Sequence, residues 1–160
     1  MNRVDVRNMV PIDVQKVAVI AEQAFFQIYP FDWMANAEAL AKASISQKAT
    51  VLVAEIGEDI VGYCNLRKWP AGGWIDQIAV AQKNLRQGIG RTLVNHIISE
   101  ARTKGYWKVS LITAESDVRS SRFFKACGFD VVGVMQDEIR KGENGILMSR
   151  IVDYSLHPNR

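Results

Sequence analysis

Cysteine is scarce in this chain of 160 residues: Cys64 and Cys127 are too few for a disulfide framework, and their spacing matches no metal knuckle. Both are expected to be reduced thiols. Long hydrophobic runs are scarce too. The longest uncharged apolar stretch of interest, Val17 to Ala21, spans five residues, whereas about 20 are needed to cross a bilayer. No transmembrane segment is expected. The opening residues Met1-Asn2-Arg3-Val4-Asp5-Val6 alternate polar and apolar and lack the hydrophobic region of a secretory signal. A soluble, cytoplasmic protein follows as the expectation. His96, between the apolar positions of its helical stretch, and His157, near the end, give a cysteine-histidine nucleophile little support. Internal repeats and low-complexity segments are also missing.

The 48% hydrophobic and 23% charged residues, at 17.9 kDa, suit one globular domain with a sizeable core. We assign residues 1–154 to that domain and residues 155–160 to a loose tail. The net charge of +3 is unevenly spread: residues 83–125 hold nine Lys or Arg against three Asp or Glu, while the segments before and after are net negative. The middle of the chain is where an anion would bind. No zinc-finger, homeodomain or RNA-recognition signature accompanies these charges, so nucleic acid is not the expected partner.

Val4, Val6 and Met9 suggest a first strand, and Asp13 is placed to cap a helix carrying Val14, Val17, Ala18, Ala21, Ala24 and Phe25. Pro30 interrupts the aromatic stretch from Phe25 to Met34, and Asp32 can start a second helix toward Lys48. Those aromatics either pack on a sheet or line a pocket. Residues 50–56 and 60–69 read as a tight hairpin, followed by one strand over 74–80. A long helix follows Gly88 and Gly90 to about Lys104. Then come a strand at 108–113, a helix at 119–127, and a terminal antiparallel pair at 129–134 and 146–152. The order β-α-α-β-β-β-α-β-α-β-β implies an α/β (α+β) fold, with a mixed, mostly antiparallel central sheet flanked by helices.

The most informative segment runs from Ile78 to Arg91. A strand enters a turn that opens a helix, with Gly88 and Gly90 at alternate positions and Lys83, Arg86 and Arg91 beside them. Backbone N–H groups and the positive end of the helix suit an anion there. The dinucleotide pattern G-x-G-x-x-G and the G-K-[S/T] ending of nucleotide loops are both absent.

The window Leu85-Arg86-Gln87-Gly88-Ile89-Gly90 resembles the signature of the GNAT superfamily of N-acetyltransferases: Gln or Arg, two residues, Gly, one residue, then Gly or Ala. Leu85 departs from it at the first position, and Arg86 could compensate. The resemblance extends from Val4 to Val152. It implies that the fourth and fifth strands splay, that pantetheine enters beside Ile78, Ala79 and Val80, and that Leu85, Arg86, Gln87, Gly88, Ile89, Gly90 and Arg91 grip the pyrophosphate of coenzyme A. A second family block, Asn-x-x-Ala-x-x-[Phe/Leu]-Tyr-x-x-x-Gly-Phe, is matched by Asp117 through Phe129. Asp117 stands at its Asn position, Ser120 at its Ala position and Phe124 at its Tyr position, and the resemblance implies that Asp117 and Phe124 lie among the residues that bind coenzyme A. That Tyr is the family's usual proton donor to the departing thiolate, and a Phe ring has no hydroxyl to donate.

By the same resemblance Asp76 is the best acidic match for a general base; its ordinary alternative is a strand carboxylate that meets solvent or pairs with Lys68 or Arg67. Thiolate protonation then falls to water, Ser120 or Cys127. Ser120 shares a helix face with Phe124, and packing is its ordinary role. The implied activity is transfer of the acetyl group of acetyl-coenzyme A to a primary amine of a small molecule or peptide, without a metal. A non-catalytic acyl-coenzyme A sensor is the alternative. Trp69 and Trp74, with the Phe25 to Met34 stretch, suggest an amine borne on something apolar or flat. No nucleic-acid or membrane partner is expected, and homodimerisation is left open.

Overall fold

The computed structural model describes residues 3–29 and 48–159. The helix expected between Asp32 and Lys48, and the aromatics at positions 31 and 33, lie outside the described residues.

The elements are β1 (Asp5–Asn8), α1 (Val14–Phe25), β2 (Ala49–Ile56), β3 (Asp59–Trp69), β4 (Gly72–Trp74), β5 (Ile78–Val80), α2 (Ile89–Thr103), β6 (Lys108–Ala114), α3 (Val118–Ala126), β7 (Asp130–Arg140) and β8 (Glu143–Ile151). Among the described residues the strands form one sheet of eight, ordered β1-β2-β3-β4-β6-β8-β7, with β5 also paired to β3. The β4–β6 contact is parallel and the other pairings are antiparallel.

Side chains alternate between the two faces of a strand, and here both faces of the central strands are covered. Leu52, Ala54, Cys64 and Leu66 pack with Ile89, Leu93, Val94 and Ile97 of α2, together with Val109 and Leu111 of β6. On the opposite face Val51, Val53, Tyr63 and Ala79 meet Val17 and Ile20 of α1. This double covering explains why residues 51–54 and 60–66 are buried without interruption. Cys64 and Cys127 are free and buried, and burial pushes both thiols up from their ordinary pKa.

The single strand expected over 74–80 is instead two. Between the pairs Arg67↔Trp74 and Cys64↔Ile78, the β4–β5 side carries one residue more than β3. Asn65 holds this bulge: its Oδ1 accepts from the backbone N–H groups of Asp76 at 3.1 Å and Gln77 at 2.9 Å. A side-chain amide on the neighbouring strand thus takes over part of the ladder. The terminal strands are longer than expected, closing on the pair Arg140↔Glu143 after an irregularity between Met135 and Arg140.

Two further differences concern the ends. Asp13 lies in a 3-10 turn, Pro11–Asp13, and makes no side-chain cap to α1. Its carboxylate instead accepts from Val10 N at 2.9 Å and from two Arg7 nitrogens at 2.7 and 3.0 Å. The segment after Ser155, expected as loose, is tied back through its aromatic residue: the His157 ring packs edge-on against Trp107 at 4.4 Å. Among the described residues no helix is long and apolar enough to cross a membrane.

Candidate active site

The parallel contact between β4 and β6 is short. Gly73 pairs with Val109 and Trp74 with Ser110, Ile75 N donates to Ser110 O at 3.0 Å, and β5 then stays with β3 alone while β6 continues with β8. The sheet therefore splits between Ile78–Val80 and the second half of β6. Asn65 N donates to Gln77 O and Ala81 N to Val61 O, at 3.1 and 2.8 Å. Because antiparallel bonding alternates along a strand, the backbone groups of Ile78 and Val80 face away from β3, into the split. Ala79 corrects the sequence expectation: its backbone pairs with Tyr63 and its side chain is buried under α1, so it does not face the split.

Beyond β5 the chain turns through Leu85 to Gly88 into α2. Arg86 and Gly88 both adopt left-handed backbone, with φ of 61° and 82°. Glycine accepts that conformation without steric cost, and space is open where a Gly88 Cβ would stand. Thr92 N makes the first turn's bond, to Gly88 O at 3.0 Å; the N–H groups of Ile89, Gly90 and Arg91 have no carbonyl four residues back within the helix. They form a positive helix end aimed at the exposed turn that carries Arg86, Gln87 and Gly88.

Gly90 has a different reason to lack a side chain: a Cβ there would stand 3.0 Å from the Phe123 ring. The two glycines thus divide the work, Gly88 making the turn and Gly90 letting α3 approach α2. Ile89 contributes only backbone, its side chain being buried in the core. Leu85 is half-buried and Gln87 bonds weakly to Lys83 O at 3.5 Å. Arg91 donates to Ala126 O at 3.1 Å, so it ties the C-terminal end of α3 to α2.

In α3, Asp117 is the N-cap, and its Oδ1 accepts from Ser120 N at 3.1 Å. Ser120 is half-buried in the first turn. The Phe124 ring is buried between Phe123 and Phe129, with centroids 5.1 and 5.5 Å away. Sequence reasoning missed Tyr29. Its hydroxyl donates to the other Asp117 oxygen at 3.2 Å and accepts from Ala114 N at 2.9 Å. Burial, aided by the Asp117 charge, pushes this phenol above its ordinary pKa. The end of α1 is thereby fastened to the open end of β6. No local signal joins residues 88 positions apart.

A cleft of about 530 Å³ straddles the split, with Trp74, Ile75, Asp76 and Gln77 on one side and Ser110 and Ile112 of β6 on the other. Asp76 takes up one of its ordinary alternatives: both of its carboxylate oxygens accept from Arg67 Nε, at 2.9 and 3.0 Å, and one also accepts from Asn65 Nδ2 at 2.9 Å. Arg67 in turn lies over the Trp69 and Trp74 rings, which are 4.7 Å apart. Gln77 Oε1 receives the Tyr63 hydroxyl at 2.7 Å, and the buried Ser110 and Ser149 hydroxyls bond each other at 2.7 Å. Glu138, which sequence reasoning did not single out, also lines the cleft. A separate depression of about 640 Å³ lies outside the split, beside Lys16 and Lys83.

Comparison with known proteins agrees with this architecture. Residues 15–129 match the profile of the Acetyltransferase (GNAT) family. The ribosomal-protein-S18-alanine N-acetyltransferase of Escherichia coli superposes with a TM-score of 0.81 at 16% identity, covering 99% of each chain. Salmonella typhimurium yncA, solved with its cofactor acetyl-CoA, gives 0.81 at 20% identity over 94% of this chain and 95% of its own. The PaiA N-acetyltransferase of Thermoplasma acidophilum, in complex with coenzyme A, gives 0.76 at 16% identity over 93% and 99%. With a split mixed sheet, a glycine turn at the start of its long helix and a family match across most of its length, the chain belongs to the GNAT acetyltransferase family.

Proposed function

We propose that the protein transfers the acetyl group of acetyl-coenzyme A to a primary amine of a small molecule or peptide, by direct attack in a ternary complex. The observation that carries this reading is the divergence of β5 from β6: it leaves the backbone groups of Ile78 and Val80 facing a gap between the α2 turn and the cleft. A peptide-like pantetheine arm can hydrogen-bond there as a missing strand would. The N–H groups from Gly88 to Arg91 would hold the pyrophosphate, with Arg86 and Lys83 adding positive charge. Leu85 and Gln87 contribute through their backbone and the course of the turn.

The acceptor ammonium first gives one proton to solvent water, and its neutral nitrogen then forms a bond to the thioester carbonyl carbon as the carbon–sulfur bond breaks. The nitrogen's remaining extra proton ends on the thiolate. With Phe124 lacking a hydroxyl, water carries that proton in this reading, and Ser120 is the competing donor. Asp117 acts as the cap that sets α3, held from its other side by Tyr29. Asp76, engaged by Arg67 and Asn65, fixes one cleft wall.

Phe124 favours a second reading, a non-catalytic acyl-coenzyme A sensor. Incubating the protein with acetyl-coenzyme A and a broad panel of primary amines, and following free thiol, separates the two. Amine-dependent thiol release is expected. Tight binding of acetyl-coenzyme A with no release for any amine would establish the sensor.

A further inference from the structure

Glu138 occupies its position through an irregularity of β7. Between the pairs Met135↔Gly145 and Arg140↔Glu143, the four residues 136–139 of β7 face Asn144 alone. Asp137 takes a left-handed backbone, φ 53°, which is costly for a residue with a Cβ. It is pinned there from β8 and from the turn before it: Asp137 N donates to Asn144 Oδ1 at 3.1 Å, and Asp137 Oδ1 accepts from Gly142 N at 2.7 Å. The next residue, Glu138, is thereby laid over Gly145. A Cβ at Gly145 would stand 3.0 and 3.1 Å from Glu138 Cβ and Cγ, so the glycine makes the space for this side chain.

The charges in the cleft are unequally matched. Asp76 is neutralised by Arg67 at 2.9 Å, and the Lys108 ammonium rests over the Trp107 ring at 4.8 Å. Glu138 has no ion-pair partner among the described residues. The cleft that it lines has apolar and aromatic walls in Ile112, Leu147, Trp69 and Trp74, interrupted by the polar side chains of Gln77, Ser110 and Ser149. A carboxylate in such surroundings gains most from a charged hydrogen-bond donor, and primary ammonium groups supply three.

We propose that Glu138 is the ammonium-binding residue of the acceptor site, and that the acceptors it selects are flat, apolar primary amines in their protonated form. The identification of the cleft as the acceptor site rests on the function proposed above. In this assignment Asp76 is a positioning residue that holds Arg67 and the tryptophan wall, and Glu138 meets the arriving cation.

The test uses calorimetry at pH 7 on the coenzyme A-saturated protein, with tryptamine and its neutral counterpart tryptophol as probes. Wild type should prefer tryptamine by at least about tenfold, the scale of one charge-assisted hydrogen bond. Glu138→Gln should erase the preference, and Glu138→Asp should keep part of it. Equal binding of the two probes by wild type, or a preference that survives in Glu138→Gln, overturns the proposal. The wild-type comparison stands even if a variant does not fold. Acetyl-coenzyme A binding and thiol release, measured on the same sample, judge the acetyltransferase reading separately. A tryptamine preference lost in Glu138→Gln, in a protein that never releases thiol, would sink that reading while supporting the ammonium site.

Discussion

Arg67 grips Asp76 through its Nε, 2.9 Å from the nearer carboxylate oxygen, and the same guanidinium lies 5.3 Å from the centre of the Trp69 ring. The carboxylate that the resemblance singles out as a base is therefore part of a wall. Its removal should disturb the cleft's shape more than a proton transfer. For Asp76→Asn we expect kcat/KM to fall by less than about tenfold with an unchanged pH profile, well short of the 10²-fold or more typical of losing a general base. Steady-state kinetics across pH 6–9 with one amine acceptor checks this; a 10²-fold loss, or disappearance of a limb of the profile, would restore Asp76 as the base.

The two glycines of the α2 turn should respond differently. Gly88→Val places a branched side chain in open space beside the exposed N–H groups. Calorimetry should show acetyl-coenzyme A binding weakened by at least about tenfold, or 1.4 kcal/mol. Gly90→Ala brings a methyl to within 3.0 Å of Phe123. Denaturant unfolding should show a loss of about 1–3 kcal/mol, the usual scale of overpacking. Swapped outcomes would reverse these roles.

If water protonates the thiolate, Ser120→Ala should change turnover by less than about threefold, because no acid is lost. Phe124→Tyr should then leave turnover equal or higher. Should Ser120→Ala instead cost about 10²-fold and be rescued in the Phe124→Tyr background, the two hydroxyls share one role and their effects are non-additive. Single-turnover measurement of thiol release distinguishes these routes from slow product departure.

Acid stability should depend on Asp13. Its hydrogen bonds to Arg7 hold the buried carboxyl below its ordinary range. A carboxyl with a lowered folded pKa contributes stability above its unfolded value, about 3.9, and loses it as the pH falls through the folded value. Arg7→Met should thus lower stability at pH 7 by about 1.5–3 kcal/mol, the scale of hydrogen bonds to a charged group. The difference from wild type should shrink as the pH drops below about 4. Urea unfolding at pH 7 and pH 3 measures it, and an equal difference at both values would count against the pair.

Legibility in the sequence followed the range of the interactions. The glycine turn, the long amphipathic helix and the β2–β3 hairpin are local, and residues 50–113 read almost as they fold. The break at Asp76 was hidden because its cause, the Asn65 side chain, sits on another strand. Asp13 looked like a helix cap until Arg7, on β1, claimed its carboxylate. Glu138 was invisible for a similar reason: its orientation follows from Asp137, Asn144 and Gly145 acting across a hairpin.

The two-pair junction between β4 and β6 also bears on how the protein responds to heat and denaturant. Among the described residues the β1–β5 portion and the β6–β8 portion meet in the sheet along only Gly73–Val109 and Trp74–Ser110, and Tyr29 also bonds to the end of β6. A ligand that bridges the split by hydrogen-bonding to both portions would act as a noncovalent cross-link of the native state. Since such a ligand has nothing to bridge in the unfolded chain, occupancy at 100 times its dissociation constant raises unfolding free energy by about 2.7 kcal/mol. Resistance to denaturation would then track the cell's supply of that ligand.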